Sequence, residues 1–142
     1  MKYKYCDGGR KNAGYKGGTD DCGIRAVAIA TDTPYQIVYD AINLLAKSER
    51  PRKSRARSNA RKGVWRRTLN KYLETLGWKW KATMGIGTGC TIHLRSDELP
   101  TGRIIARVSK HYVAVINGVI HDTFDPSRNG TRCIYGYWQK TK

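Results

Sequence analysis

Apolar residues follow a helical period in the first half of the chain and a strand period in the second half. Small apolar residues come directly after Cys22, which predicts a buried helix over 22–31. Thr33 and Pro34 then signal the start of a second helix, with Thr33 as its N-cap and Pro34 at its first position. One face of this second helix is expected in the core, namely Ile37, Val38, Ala41, Leu44 and Leu45.

A third helix is predicted from about residue 66 to 76, because apolar residues recur there on one stripe and Gly77 supplies a C-terminal stop. Alternating and continuous apolar runs predict strands at 3–6, 78–80, 91–94, 103–108, 111–116, 119–122 and 133–138. Helices followed by antiparallel strands indicate an α+β fold. A helical half that holds Cys22 should pack on an antiparallel sheet that holds His111.

The dipeptide Asn117-Gly118 predicts a two-residue hairpin turn within this sheet. Pairing residues outward from the turn places His111 and Asp122 on the same face, as diagonal neighbours. Asp125 would lie on the other face if the return strand stayed regular. The pairing therefore favours Asp122 as the acid beside His111.

The chain has 142 residues, and we expect 1–142 to form a single domain with one core. Its net charge of +16 suggests a polyanionic partner. Residues 47–62 are strongly basic, and we expect them to form an exposed, mobile loop inserted in the domain. Two interpretations stay open for this loop: nonspecific binding of nucleic-acid phosphates, or a solvated insertion. The first assigns binding to Arg50, Arg52, Lys53, Arg55, Arg57, Arg61 and Lys62.

The N-terminal residues lack an apolar stretch after their charges, and no apolar run is long enough to cross a bilayer. We therefore expect a cytoplasmic protein with no membrane partner. In that compartment the four cysteines, Cys6, Cys22, Cys90 and Cys133, are expected to be free thiols. No two cysteines have the C-x-x-C spacing, and the histidines are scattered, so no metal and no other cofactor is expected.

Cys22 is the candidate nucleophile. At the start of a helix, unpaired backbone N–H groups and the helix dipole favour a thiolate, whereas a nearby Asp21 opposes it. The alternative is a small buried thiol with no chemical role. A later histidine on a strand, His111, with Asp122 beside it, favours the catalytic interpretation.

These residues resemble the papain-like cysteine peptidase fold, and the C39-like peptidases most closely. The resemblance rests on Asp21-Cys22-Gly23 at a helix start and on His111-Tyr112-Val113-Ala114-Val115 before Asn117-Gly118 and Asp122. It implies a cysteine hydrolase with Cys22 as nucleophile, His111 as general base and acid, and Asp122 as the residue that orients His111. The implied substrate is a peptide or an acylated protein, cleaved at an amide or thioester bond or used for acyl transfer. The whole chain also resembles a small phage-encoded protein, which would act in the host cytoplasm.

C39-like peptidases carry a glutamine several residues before the cysteine, where it contributes to the oxyanion hole. No glutamine precedes Cys22 in this chain. The substitutes in that neighbourhood are Asn12, Lys16 and Thr19, with the backbone N–H of Cys22 as the other donor. If none of them acts, the alternative function is a catalytically inactive papain-like scaffold that binds nucleic acid or a host protein through its basic surface.

Overall fold

The computed structural model describes residues 1–16, 20–50 and 56–141. Its helices are α1 (Cys22–Thr31), α2 (Tyr35–Ala46) and α3 (Arg66–Thr75). Its strands are β1 (Lys2–Tyr5), β2 (Trp78–Ala82), β3 (Arg103–Val108), β4 (His111–Ile116), β5 (Val119–Asp122) and β6 (Gly136–Lys140). Within the described ranges, no helix combines the length and the apolar character needed to cross a membrane.

The six strands form one sheet in the order β1-β5-β4-β3-β6-β2. This confirms the α+β class, but the sheet is mixed rather than antiparallel throughout, because β1 pairs with β5 in parallel. The other neighbouring strands pair antiparallel. The parallel pair is at the edge, where β1 arrives from the distant N-terminus and no tight turn imposes its direction.

The hairpin between β4 and β5 has the predicted register. Asn117 and Gly118 both have positive φ, 48° and 77°, as a two-residue turn of the favoured hairpin type requires. Ile116 therefore pairs with Val119, and Ala114 pairs with His121. This register fixes which residues of the two strands share a face.

The sheet has apolar residues packed on both of its faces. On one face the three helices cover a cluster that includes Ile24, Leu69 and Trp138, each fully buried. On the other face Val113 and Ile120 pack with residues of the 92–99 and 133–137 stretches. Both faces of the sheet are therefore covered by apolar packing. The polar residues Cys22, His111 and Asp122 lie at the ends of α1, β4 and β5.

The predicted core face of α2 is wrong at two positions. Ile37 is 55% exposed and Leu44 is 67% exposed. The buried residues of this helix are instead Tyr35, Val38, Ile42 and Ala46. The helix carries two apolar stripes, and tertiary packing against α1 and α3 selects the one that begins with Tyr35. Its N-cap position is occupied by Pro34 rather than Thr33.

The basic segment is not wholly exposed, contrary to prediction. Ser58 is 5% exposed and Ala60 is fully buried in the core beneath the helices. Glu49, the single acid of the segment, accepts hydrogen bonds from the Ser58 N–H and the Thr68 hydroxyl. The bond with Thr68 attaches the segment to α3. Arg50, Arg57, Arg61 and Lys62 are exposed, and Arg52, Lys53 and Arg55 lie outside the described residues.

The expectation of four free thiols is wrong for two of them. Cys90 and Cys133 form a disulfide, with Cα atoms 5.8 Å apart. Cys6 and Cys22 are free. The two bonded cysteines are 43 residues apart in sequence, so their proximity depends on the fold and has no local signal.

Candidate active site

Cys22 is the first residue of α1, as predicted, and it is partly buried. Asp21 occupies the N-cap position, but its side chain makes no capping hydrogen bond. Its carboxylate is fully buried, pairs with Arg25 and Arg10 and accepts a hydrogen bond from the Tyr35 hydroxyl. These partners direct the carboxylate to the interior and away from the first-turn N–H groups.

His111, the first residue of β4, makes the predicted contact with Asp122. The ring Nε2 lies 2.6 Å from Asp122 Oδ2, and both residues are buried. The other carboxylate oxygen accepts the Thr123 N–H at 2.7 Å and lies 3.5 Å from Arg25 Nη2. Asp125, the rejected alternative, accepts the Ser127 N–H instead. The acid beside His111 is therefore held at both of its oxygens.

Cys22 and His111 line the same cleft, which has a volume of about 610 Å³. Burial lowers the pKa of His111, but the hydrogen bond with the Asp122 carboxylate, together with the nearby Cys22 sulfur, raises it to about 9. Because Asp122 occupies Nε2, the ring nitrogen left for the Cys22 sulfur is Nδ1. The His111 imidazole is thus bound to a buried carboxylate and lines the same cleft as the Cys22 thiol.

The first turn of α1 reaches the start of β4 through close packing at Gly23. A Cβ atom on Gly23 would lie 3.4 Å from Leu69 Cδ1 and 3.6 Å from Tyr112 Cδ2. The Tyr112 hydroxyl in turn donates to the Val64 carbonyl oxygen at 3.3 Å. The small residue after the cysteine therefore lets α1, α3 and β4 meet beside the cleft.

The cleft is basic and partly apolar. Asp20 is the one acid among the described residues that line it, whereas four lining residues are cations: Arg25, Lys62, Arg107 and Lys110. Phe124 forms part of the wall, with its ring 5.0 Å from the His111 ring and nearly half of its surface exposed. The remaining apolar lining comes from Val64, Val108 and Tyr112.

Two of the three residues proposed for the oxyanion hole are not brought to this cleft. Asn12 lines a different cavity, beside the C-terminal half of α1, because Asp7 holds the 8–14 turn there through the N–H groups of Gly9 and Lys11. Lys16 is also absent from the lining, and its carbonyl oxygen accepts a hydrogen bond from Arg61. Thr19 lies outside the described residues.

Arg25 was missed by the sequence reasoning. It is buried, lines the cleft and lies between two buried carboxylates, those of Asp21 and Asp122. The available signal was the i, i+4 spacing of Asp21 and Arg25 on a helix that is otherwise apolar. A cation buried among small apolar residues needs a partner, and here it connects the cysteine helix to the acid of β5.

Comparisons of the chain with protein-family models, with curated proteins and with solved structures find no match.

Proposed function

We propose that this chain is a cysteine hydrolase of papain-like arrangement, acting on amide or thioester bonds and most of all on peptides. Cys22 is the nucleophile, His111 the general base and acid, and Asp122 the residue that orients His111. The observation that carries the proposal is the buried His111–Asp122 contact at 2.6 Å on an imidazole that lines the same open cleft as Cys22.

In the proposed reaction, His111 takes the thiol proton of Cys22 and the sulfur attacks the substrate carbonyl carbon. The tetrahedral intermediate collapses when the protonated His111 gives its proton to the leaving amine or thiol, which leaves an acyl group on Cys22. Water, deprotonated by His111, then releases the acid and restores the thiol. The raised pKa of His111 supports the charged imidazole that the first step forms and the second step uses as its acid.

The oxyanion of the tetrahedral intermediate needs hydrogen-bond donors. The backbone N–H of Cys22 belongs to the first turn of α1, where N–H groups lack intrahelical partners. Because the Asp21 side chain does not cap this turn, it does not compete for these donors. We assign this N–H to the oxyanion, in the place where the C39-like pattern also uses a glutamine.

The charge of the cleft supports a substrate with negative charge near the bond that is cleaved. The lining cations outnumber the acid Asp20, so an acidic peptide gains favourable electrostatic energy and a basic one loses it. The apolar wall at Phe124 and Val108 supports an apolar side chain at one subsite.

The test uses peptide thioesters of equal length that differ only in acidic or basic residues. We expect an acyl group on Cys22 after acid quenching, formed faster from the acidic peptide, and no acyl group there in Cys22→Ala. Cys6→Ala is the matched control, because Cys6 is the other free and partly buried cysteine. Acylation of Cys6 at the same rate as Cys22, or turnover that survives Cys22→Ala, would contradict the proposal.

A further inference from the structure

A second cluster of nucleophilic side chains lies away from the cleft. Cys90, His93 and Cys133 each offer one ligand atom, and these atoms all lie within 4.8 Å of one another. The Cys90 sulfur is 3.4 Å from His93 Nε2. None of the three is among the described residues that line the cleft of Cys22. Two sulfurs and an imidazole nitrogen so close together form a ligand set that suits zinc.

The backbone holds the members of this cluster together. His93 and Cys133 face each other in an antiparallel bridge. On either side of it the Leu94 N–H donates to the Arg132 carbonyl oxygen at 2.8 Å, and the Ile134 N–H donates to the Ile92 carbonyl oxygen at 2.9 Å. Leu94 and Ile134 are fully buried in the apolar cluster of the same sheet face. The positions of His93 and Cys133 therefore do not depend on the disulfide alone.

The His93 ring has the hydrogen-bonded orientation that is common among metal-binding histidines. Its Nδ1 lies 3.2 Å from Glu98 Oε1, which leaves Nε2 directed at the Cys90 sulfur. Histidines that bind zinc commonly donate their second ring N–H to a carboxylate, which fixes the tautomer and makes the ligating nitrogen more basic. Here the carboxylate comes from the turn after His93, five residues along the chain.

We propose that Cys90, His93 and Cys133 form a zinc site when the disulfide between the two cysteines is reduced, with Glu98 as the residue that orients His93. A dithiol reductant supplies two electrons and two protons and is itself oxidised to a disulfide. A phosphine supplies the two electrons and becomes a phosphine oxide, with its oxygen and the two protons taken from water. Either reaction breaks the S–S bond and gives two thiols. Zinc binding then releases both thiol protons, and the fourth coordination position is left to water or an external ligand. The disulfide and the zinc complex exclude each other, because both use the same two sulfurs.

The cluster lies partly at the surface, with Cys90 exposed and the other two ligands partly buried. Zinc therefore has access to it without unfolding of the sheet. The sequence contains one half of a metal-ligand pattern, Cys90-x-x-His93, but the third ligand is distant in sequence and only the fold brings it close.

The test is a titration of metal-free protein with Zn²⁺, and with Co²⁺ as a spectroscopic probe, in a Cys22→Ser background. This background removes the other thiol–imidazole pair, so failure of the zinc site and failure of the hydrolase proposal are distinguishable. With a phosphine reductant present, we expect one equivalent of metal, thiolate-to-cobalt charge-transfer absorption and a raised Tm with Zn²⁺. Without reductant, the same protein should show none of the three.

Matched variants identify the ligands. Cys133→Ser and His93→Ala should weaken binding strongly, whereas Cys6→Ser and His121→Ala, which change residues outside the cluster, should leave it unchanged. Glu98→Gln should weaken binding about 10- to 100-fold while keeping the cobalt charge-transfer band. The proposal is overturned if the reduced protein binds no zinc, if its Tm ignores zinc, or if Cys133→Ser binds as tightly as its parent.

Discussion

His111 Nε2 and Asp122 Oδ2 form a buried hydrogen bond of 2.6 Å, joining the first residue of β4 to the last residue of β5. Because the carboxylate raises the pKa of His111, Asp122→Asn should lower that pKa and slow alkylation of Cys22 at least about tenfold, the factor that one pKa unit represents. Asp125→Asn should leave the rate unchanged, since Asp125 bonds to the Ser127 N–H instead. Equal effects of the two variants would remove the case for Asp122.

The raised pKa of His111 predicts a dependence of stability on pH. The folded protein holds this proton up to about pH 9, whereas an unfolded histidine releases it near its ordinary value of 6.5. The contribution of the His111 proton to the free energy of unfolding is therefore fully present below about pH 6.5 and is lost as pH rises through 9.

Urea unfolding at several pH values between 6 and 10 measures this contribution, with His111→Gln as the reference. The difference in free energy between the two proteins should shrink as pH rises across this window. A difference that stays constant, or grows with pH, would show that His111 is not protonated in the folded protein at neutral pH.

Arg25 should contribute strongly to stability, because it lies between the buried carboxylates of Asp21 and Asp122. Arg25→Ala leaves two buried negative charges without this partner and should cost about 3–5 kcal/mol of unfolding free energy. Arg67→Ala is the control, since Arg67 is an exposed arginine of α3, and should change it by less than about 0.5 kcal/mol. Equal losses for both arginines would contradict the account of Arg25.

Much of the fold was predictable where local signals are strong. The bounds of α1, β3, β4 and β5 agree with prediction. The start of α1 is marked by Cys22 and the small apolar residues after it, and the Asn117-Gly118 turn sets the end of β4 and the start of β5. The turn also fixed the face shared by His111 and Asp122, which is why their contact could be predicted.

The errors concern contacts between distant segments. Neither the parallel β1–β5 pairing nor the Cys90–Cys133 disulfide has a signal in the local sequence. Ile37 and Leu44 fit an apolar helical face, yet packing buries the other stripe of α2. The basic neighbours of Ala60 predict an exposed loop, although its own side chain enters the core.

Binding of nucleic acid through the basic segment stays a prediction. Such binding should be independent of sequence and should fall steeply with salt, because neutralised phosphates release counterions. Replacing the exposed Arg50 and Arg57 together with Arg52, Lys53 and Arg55 by alanine should weaken it and flatten its salt dependence, measured by fluorescence anisotropy at two salt concentrations. Affinity that ignores salt, or that survives these replacements, would count against this role.

The central claim is that Cys22 and His111 act as a thiolate–imidazolium pair. Its most direct test is the rate of labelling by a limiting amount of iodoacetamide near neutral pH, without reductant, followed by mass mapping of each cysteine. Under these conditions the disulfide protects Cys90 and Cys133, and Cys6 is the matched free thiol. We predict that Cys22 is labelled more than about tenfold faster than Cys6, and that His111→Ala removes this advantage. Labelling of Cys6 first, or a Cys22 rate unchanged by His111→Ala, would contradict the account.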